Sequence, residues 1–178
     1  ASASGAIAAP QFAAPSVLNP SVVSADTFLE DVDRDGLVDV VVVNPFRRRL
    51  EWLRGLGGDA FAPARPLFNN ASALTPPAFG DVDGDGDRDL ILATATDQLQ
   101  LVLAAPSGLV GFPIDLGVQG TRVRDIQLGD VDGDGDLDIV LLEVPNSQVD
   151  RVSISLNMGT GGFAAPTTAI QLSTGYFE

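Results

Sequence analysis

The stretch GDVDGDGDRDLIL, residues 80–92, places five aspartates at alternate positions, Asp81 to Asp89, and runs directly into an apolar segment. A near copy, GDVDGDGDLDIVL, begins at Gly129, and a looser one, EDVDRDGLVDVVV, begins at Glu30. The motifs proper start at Asp31, Asp81 and Asp130, with steps of 50 and 49 residues. Self-similarity at a fixed period of this size marks a repeat array. Whatever explains one acidic turn must therefore explain all three.

A second landmark recurs out of phase with the first: QFAAPSVL at 11, AFAPARPLF at 60, VGFPIDLGV at 110 and GGFAAPTTAI at 161. Its phenylalanines, Phe12, Phe61, Phe112 and Phe163, are 49, 51 and 51 residues apart. Between the landmarks each period reads as short strands. SVVSADTFL, SALTPPAFG and TRVRDIQLG precede the acidic turns, and LVDVVVV, DLILATAT and DIVLLEV follow them. These runs are rich in β-branched residues and too short for helices. LEWL, LQLVL and VSISL come next, the last alternating Val152, Ile154 and Leu156 with Ser153 and Ser155. A Gly-rich turn then leads into the Phe-and-Pro strand, where proline fits only at a sheet edge. Four short strands per period describe a β-propeller blade. The expectation is an all-β, propeller-like array of about three four-stranded blades, with the acidic loops between first and second strands. Residues 1–178 form one repeat domain in this reading. Its blade cores lie at about 21–58, 71–108 and 121–160, and its outer strands at about 9–18, 60–68, 110–118 and 162–172.

Composition narrows the function. Net charge is −14, and fourteen of the 24 acidic residues sit in the three turns. That balance argues against nucleic acid as a partner. No apolar run reaches the length of a membrane span, so membrane insertion is not expected. Cysteine, histidine and lysine are absent, and all ten basic residues are arginine. Disulfides, thiolate sites, a histidine base and Schiff-base chemistry are thereby excluded. With the carboxylates concentrated in the turns and no nucleophile–base signature, the chain reads as a non-enzyme. It opens ASASGAIAAP, small residues of the kind that border a signal-cleavage site, so the expected location is extracellular or at the cell surface.

Carboxylates at positions 1, 3, 5 and 9 of a tight loop make an oxygen cage for a hard cation, with a backbone carbonyl at position 7 and glycine at position 6 for the turn. Without a cation, four or five carboxylates this close repel one another and some protonate. Ca²⁺ takes about 6–8 oxygen ligands at roughly 2.3–2.6 Å, whereas Mg²⁺ dehydrates reluctantly and fits such a cage less well. EF-hands are excluded, because position 12 is Val42, Leu92 or Leu141 in place of a bidentate glutamate.

DVDRDGLVD, DVDGDGDRD and DVDGDGDLD, each between two apolar strands, resemble the FG-GAP/VCBS repeats of integrin-type, calcium-binding β-propellers, and AFGD at 78–81 keeps the FG dipeptide. The resemblance implies about three Ca²⁺ ions. One would be held by Asp31, Asp33, Asp35 and Asp39 with the Leu37 carbonyl. A second would be held by Asp81, Asp83, Asp85 and Asp89 with the Asp87 carbonyl, and a third by Asp130, Asp132, Asp134 and Asp138 with the Asp136 carbonyl. The side chains of Asp87 and Asp136 would then point outward. The first copy departs from the others, with Arg34 in place of Gly84 and Gly133 and Leu37 in place of an aspartate.

Three blades need three outer strands, and four candidates are present. The surplus one is terminal, either Ala9–Leu18 or Phe163–Leu172, and suits strand donation to a neighbouring copy. The expected function is an extracellular, calcium-stabilised structural protein that self-associates, with filaments formed by terminal strand exchange. The alternative is an adhesin or lectin-like module that presents the propeller face to a glycan or protein ligand. One Trp and one Tyr count against repeated sugar-stacking sites. FRRRLEW, 46–52, is the remaining candidate patch, read as a solvated hairpin that puts Arg48, Leu50 and Trp52 on one face and Arg47, Arg49 and Glu51 on the other. Asn70 fits a glycosylation sequon.

Overall fold

The computed structural model describes residues 26–69, 71, 75–105, 108–109, 113–118, 121–145 and 149–172. These residues form three four-stranded antiparallel sheets and one two-stranded ladder, and none of them is helical. The first sheet runs β1 (Thr27–Glu30), β2 (Asp39–Asn44), β3 (Arg49–Leu53) and β4 (Arg65–Asn69) in spatial order. The second runs β5 (Ala78–Gly80), β6 (Asp89–Ala93), β7 (Leu99–Val102) and β10 (Ile114–Asp115), with a small hairpin, β8 (Ala104–Ala105) and β9 (Gly108–Leu109), inserted before its last strand. The third runs β11 (Thr121–Gly129), β12 (Asp138–Pro145), β13 (Arg151–Ser155) and β14 (Thr167–Gln171). Each sheet is thus one blade-like unit whose strands follow chain order. No strand of the third sheet pairs with the first, so hydrogen bonds among the described residues do not close the array.

The acidic loops fall where the repeat places them, joining first and second strands of every blade. Pro66 lies on β4, an outer edge, as a missing N–H requires. Of the two candidate surplus strands, Phe163–Leu172 contains β14 and completes its own blade. Ala9–Leu18, Phe12, Phe112 and Asn70 lie outside the described residues.

The second strand of each blade is apolar on both faces because it is sandwiched between neighbours. Val41 and Val43 of the first blade meet Leu90 and Leu92 of the second in one core cluster, joined by Phe28 and Phe79, whose rings lie 6.0 Å apart. On the other face of the second blade, Ile91, Ala93, Leu99 and Leu101 meet Ile139 and Leu141 of the third. The rule is regular. Counting from the first aspartate of each loop, residues 10 and 12 face the preceding blade, and residues 11 and 13 face the following one. Gly80 of the FG dipeptide is glycine for space: a Cβ there would stand 2.7 Å from Leu128 Cδ1 and 2.9 Å from Leu137 Cδ1. Phe61 packs on the core of its own blade and Phe163 on the cluster between the second and third blades, both partly buried, which gives the recurring phenylalanine a packing role.

The alternation in VSISL comes out with the serines inside. Ser153 and Ser155 are buried toward the second blade, while Val152 and Ile154 are only half-buried and face away from it. Val140 and Leu142 of β12 share that outward face and are half-buried too. Their equivalents in the second blade, Ile91, Ala93, Leu99 and Leu101, are at most 2% exposed. The third blade therefore ends the described array with an apolar face of the kind its two predecessors cover.

Leu101→Ala should destabilise the protein by about 3 kcal/mol, because it empties volume between two blades. Met158→Ala, at a 71% exposed site, should change stability by less than about 0.5 kcal/mol. Urea unfolding of both variants checks the contrast.

Candidate metal centres

Each acidic loop is wound on its own aspartates. The first carboxylate accepts the amide of the sixth residue: Gly36 to Asp31 at 3.0 Å, Gly86 to Asp81 at 3.0 Å and Gly135 to Asp130 at 3.1 Å. The fifth carboxylate accepts the amide two residues on, from Leu37, Asp87 and Asp136 at 2.9, 2.8 and 3.0 Å. Bonds of this kind need left-handed backbone at the fourth and sixth positions. Gly84 and Gly133 supply it at the fourth with φ of 76° and 85°, and Arg34 takes the same region at 59°. A non-glycine residue there costs about 1 kcal/mol. The Arg34 side chain makes an ion pair with Asp87 of the next loop, which offsets the cost.

The ninth aspartates are the fixed points. Asp39, Asp89 and Asp138 are fully buried, and each takes two backbone amides. One comes from the second loop residue: Val32 at 2.9 Å, Val82 at 2.9 Å and Val131 at 2.8 Å. The other comes from the exit of the third strand: Gly55 at 2.7 Å, Ala104 at 2.7 Å and Asn157 at 2.8 Å. Asn157 also donates through its side chain to the Val82 carbonyl at 2.7 Å, joining the second and third loops. Neither the amides at Gly55, Ala104 and Asn157 nor this link is legible from the spacing alone.

Three carboxylates in each loop bring one oxygen apiece to within 4.8 Å of one another. They are Asp31, Asp33 and Asp39 in the first loop, Asp81, Asp83 and Asp85 in the second, and Asp130, Asp132 and Asp138 in the third. Asp35, Asp89 and Asp134 stand outside these triads. Burial raises the Asp89 carboxyl above its usual value, outweighing the two amides that lower it. Lost hydration raises Asp83 and Asp132 as well, and the charges of neighbouring aspartates add to it. Hard oxygen donors with uncompensated negative charge fit a divalent cation. When bound, the cation would supply the missing positive charge.

The seventh-position residues differ from one another. Leu37 is exposed and Asp136 half-buried, but Asp87 is buried, turned away from its own loop into the junction with Arg34. Asp87 thus points out of its loop, but into a buried ion pair. Only the third loop has an aspartate at this position without an arginine from the preceding loop to receive it. The first loop departs further. Arg54, just past β3, bonds to Asp33 through Nε and to Asp35 through Nη2, the latter at 2.6 Å. That arginine was not singled out from the sequence, yet the matching residues of the other blades, Leu103 and Leu156, show its position to be unusual.

A family model described as an FG-GAP-like repeat matches residues 31–92 and again residues 81–141. The chain belongs to that family. Both matches begin on the first aspartate of a loop, and together they take in all three loops. FG-GAP-like repeats are a non-enzymatic fold serving structural or binding roles, and they are typically extracellular. No helix among the described residues is long and apolar enough to cross a membrane. A search of the curated proteins gives no match.

Arg47 and Arg49 of the arginine patch are held internally. Glu51, 2% exposed, accepts from Asn44 at 3.1 Å, from Arg47 at 3.2 Å and from Arg49 at 2.8 Å, while Arg65 lies 4.8 Å over the Trp52 ring. Arg48 sits in the turn, at a φ of 50°, and not on the strand face with Leu50 and Trp52. The hairpin is therefore cross-linked where a solvated one was expected.

Burial pushes the Glu51 carboxyl up, but the bonds from Asn44 and Arg49, with Arg47, outweigh it and hold the group below its ordinary 4.5. A lowered carboxyl stabilises the fold above its unfolded pKa, and that contribution is lost as pH falls through the folded value. Glu51→Gln should cost about 2 kcal/mol at neutral pH and flatten the loss of stability toward pH ~3, read by denaturant unfolding at both pH values. Asp138→Asn should cost a similar ~2 kcal/mol even without metal, because its NH₂ would face a backbone N–H donor.

Proposed function

We propose that the chain is an extracellular, calcium-stabilised structural module that associates with further copies of itself. The observation that carries this reading is the apolar outer face of the third blade, formed by Val140, Leu142, Val152 and Ile154. The first two blades bury the equivalent positions beneath their successors, so this face suits one more blade. On the first blade of another copy the matching positions, Val40 and Val42, are packed with Leu53, Phe61 and Ala64 of that blade, and Leu29, Leu37 and Val38 beside them are exposed for contact. Such a contact is heterologous, so repetition builds a ring or an open filament. Ala9–Leu18 shares the Phe-and-Pro signature of the outer strands, and β14 already fills that role in the third blade. The spare segment would then add to a neighbour's sheet edge, as in strand exchange.

Calcium would bind through the loop aspartates, with the backbone carbonyl at the seventh position completing the cage of each loop it enters. Its role is structural. An ion bound only to the folded state stabilises it by about 2.7 kcal/mol per site at a hundred times Kd. Millimolar extracellular calcium fills even weak loops of this type. The adhesin reading gains little from the arginine–tryptophan patch, where Arg47 and Arg49 are held by Glu51.

Light scattering after size-exclusion chromatography tests association on the full chain, on a deletion of residues 1–18 and on Leu142→Glu. Large species should form in millimolar calcium and shrink in EDTA. Loss on deletion alone assigns the contact to strand donation, and loss in Leu142→Glu assigns it to face stacking. A monomer under every condition overturns self-association and leaves the glycan- or protein-binding module as the better reading. EDTA should also lower Tm by about 10 °C or more.

A further inference from the structure

We propose that the first acidic loop is filled by the chain's own Arg54, so that the protein takes divalent cations at its second and third loops and not at its first. This rests on the metal reading of the loops and adds which of them the ion can enter.

Arg54 occupies a position from which its side chain reaches the third and fifth carboxylates. It precedes Gly55, whose amide binds the ninth aspartate, and so corresponds to Leu103 before Ala104 and Leu156 before Asn157. The guanidinium spreads two N–H donors over Asp33 and Asp35. Paired donors on a rigid fork suit this arrangement, and a leucine offers none. A cation entering the first loop competes with Arg54 for Asp33 and Asp35, whereas in the second and third loops Asp83, Asp85, Asp132 and Asp134 take backbone amides within their own loops.

Charge points the same way. Counting each arginine where its side chain is paired, the first loop with Arg54 carries −3, the second with Arg34 on Asp87 carries −4, and the third carries −5. Affinity for a hard cation follows the number of ligand charges. The first loop also keeps a different hydrogen-bond pattern. Asp31 Oδ1 accepts the amide of Asp35 at 3.1 Å, where Asp81 and Asp130 accept those of Gly84 and Gly133 at 2.8 and 2.7 Å. The arginine-held loop has a shape of its own.

The test is a calcium chloride titration of the metal-stripped full chain by calorimetry, with the bound ions counted by native mass spectrometry. Wild type should bind two ions, and Arg54→Leu three, the new site gaining at least tenfold in affinity over the first loop of wild type. Asp35→Asn should leave the wild-type count at two, and Asp85→Asn should lower it to one, so the comparison holds even if Arg54→Leu folds poorly. Three ions in wild type, or two in a folded Arg54→Leu, would overturn the proposal. No binding in either protein would overturn the calcium reading itself, and this inference with it.

Discussion

The blades depend on one buried carboxylate each. Asp39, Asp89 and Asp138 stand at the first residue of a second strand and accept amides from two directions, the start of the acidic loop and the exit of the third strand. A neutral side chain would satisfy one amide and strand the other. The charge makes both bonds strong, since charge-assisted hydrogen bonds are roughly twice as strong as neutral ones. Burying that charge is unfavourable unless something positive lies near. The remaining aspartates add negative charge beside it, which gives each loop a cluster of carboxylates that could hold a cation.

The three loops meet this charge differently. In the third, aspartates and amides alone surround the site. In the second, Asp87 leaves the loop to meet Arg34, and Arg88 reaches the Phe79 carbonyl at 2.8 Å and Glu30 at 3.3 Å. In the first, Arg54 enters the loop itself. The same acidic repeat is therefore partly neutralised by the protein's own arginines at one end of the array and keeps its full charge at the other. Arg34 and Arg88 also reach across to the neighbouring blade, so electrostatic and packing contacts run along the same blade junction as Phe28 and Phe79.

Much of this was legible in the sequence because it is periodic. Loop position, strand order, the edge placement of Pro66 and the packing role of Phe61 and Phe163 all follow from matching three copies. What the copies do not share was harder to see. Arg54, Arg34 and Asp87 act through pairs distant in sequence, and no spacing rule predicts that an arginine after one strand returns to a loop before another. The buried state of Glu51 was hidden for a similar reason. Its partners Asn44, Arg47 and Arg49 lie in one hairpin, but a run of arginines reads as solvated until the carboxylate between them is seen to be inside.

The serine alternation of β13 holds the deeper lesson about this architecture. In an isolated sheet the apolar side of VSISL would face the core. In a stack of blades both sides face a neighbour, and polarity reports what each neighbour offers. Ser153 and Ser155 pack toward the second blade, and Ser155 Oγ donates to the Ala164 carbonyl of its own blade. Val152 and Ile154 keep the apolar character that Leu99 and Leu101 need where a following blade covers them. An end blade whose outer face were adapted to water would carry polar residues there, as capping repeats do. The third blade does not, and its outer face retains the pattern of an interior junction.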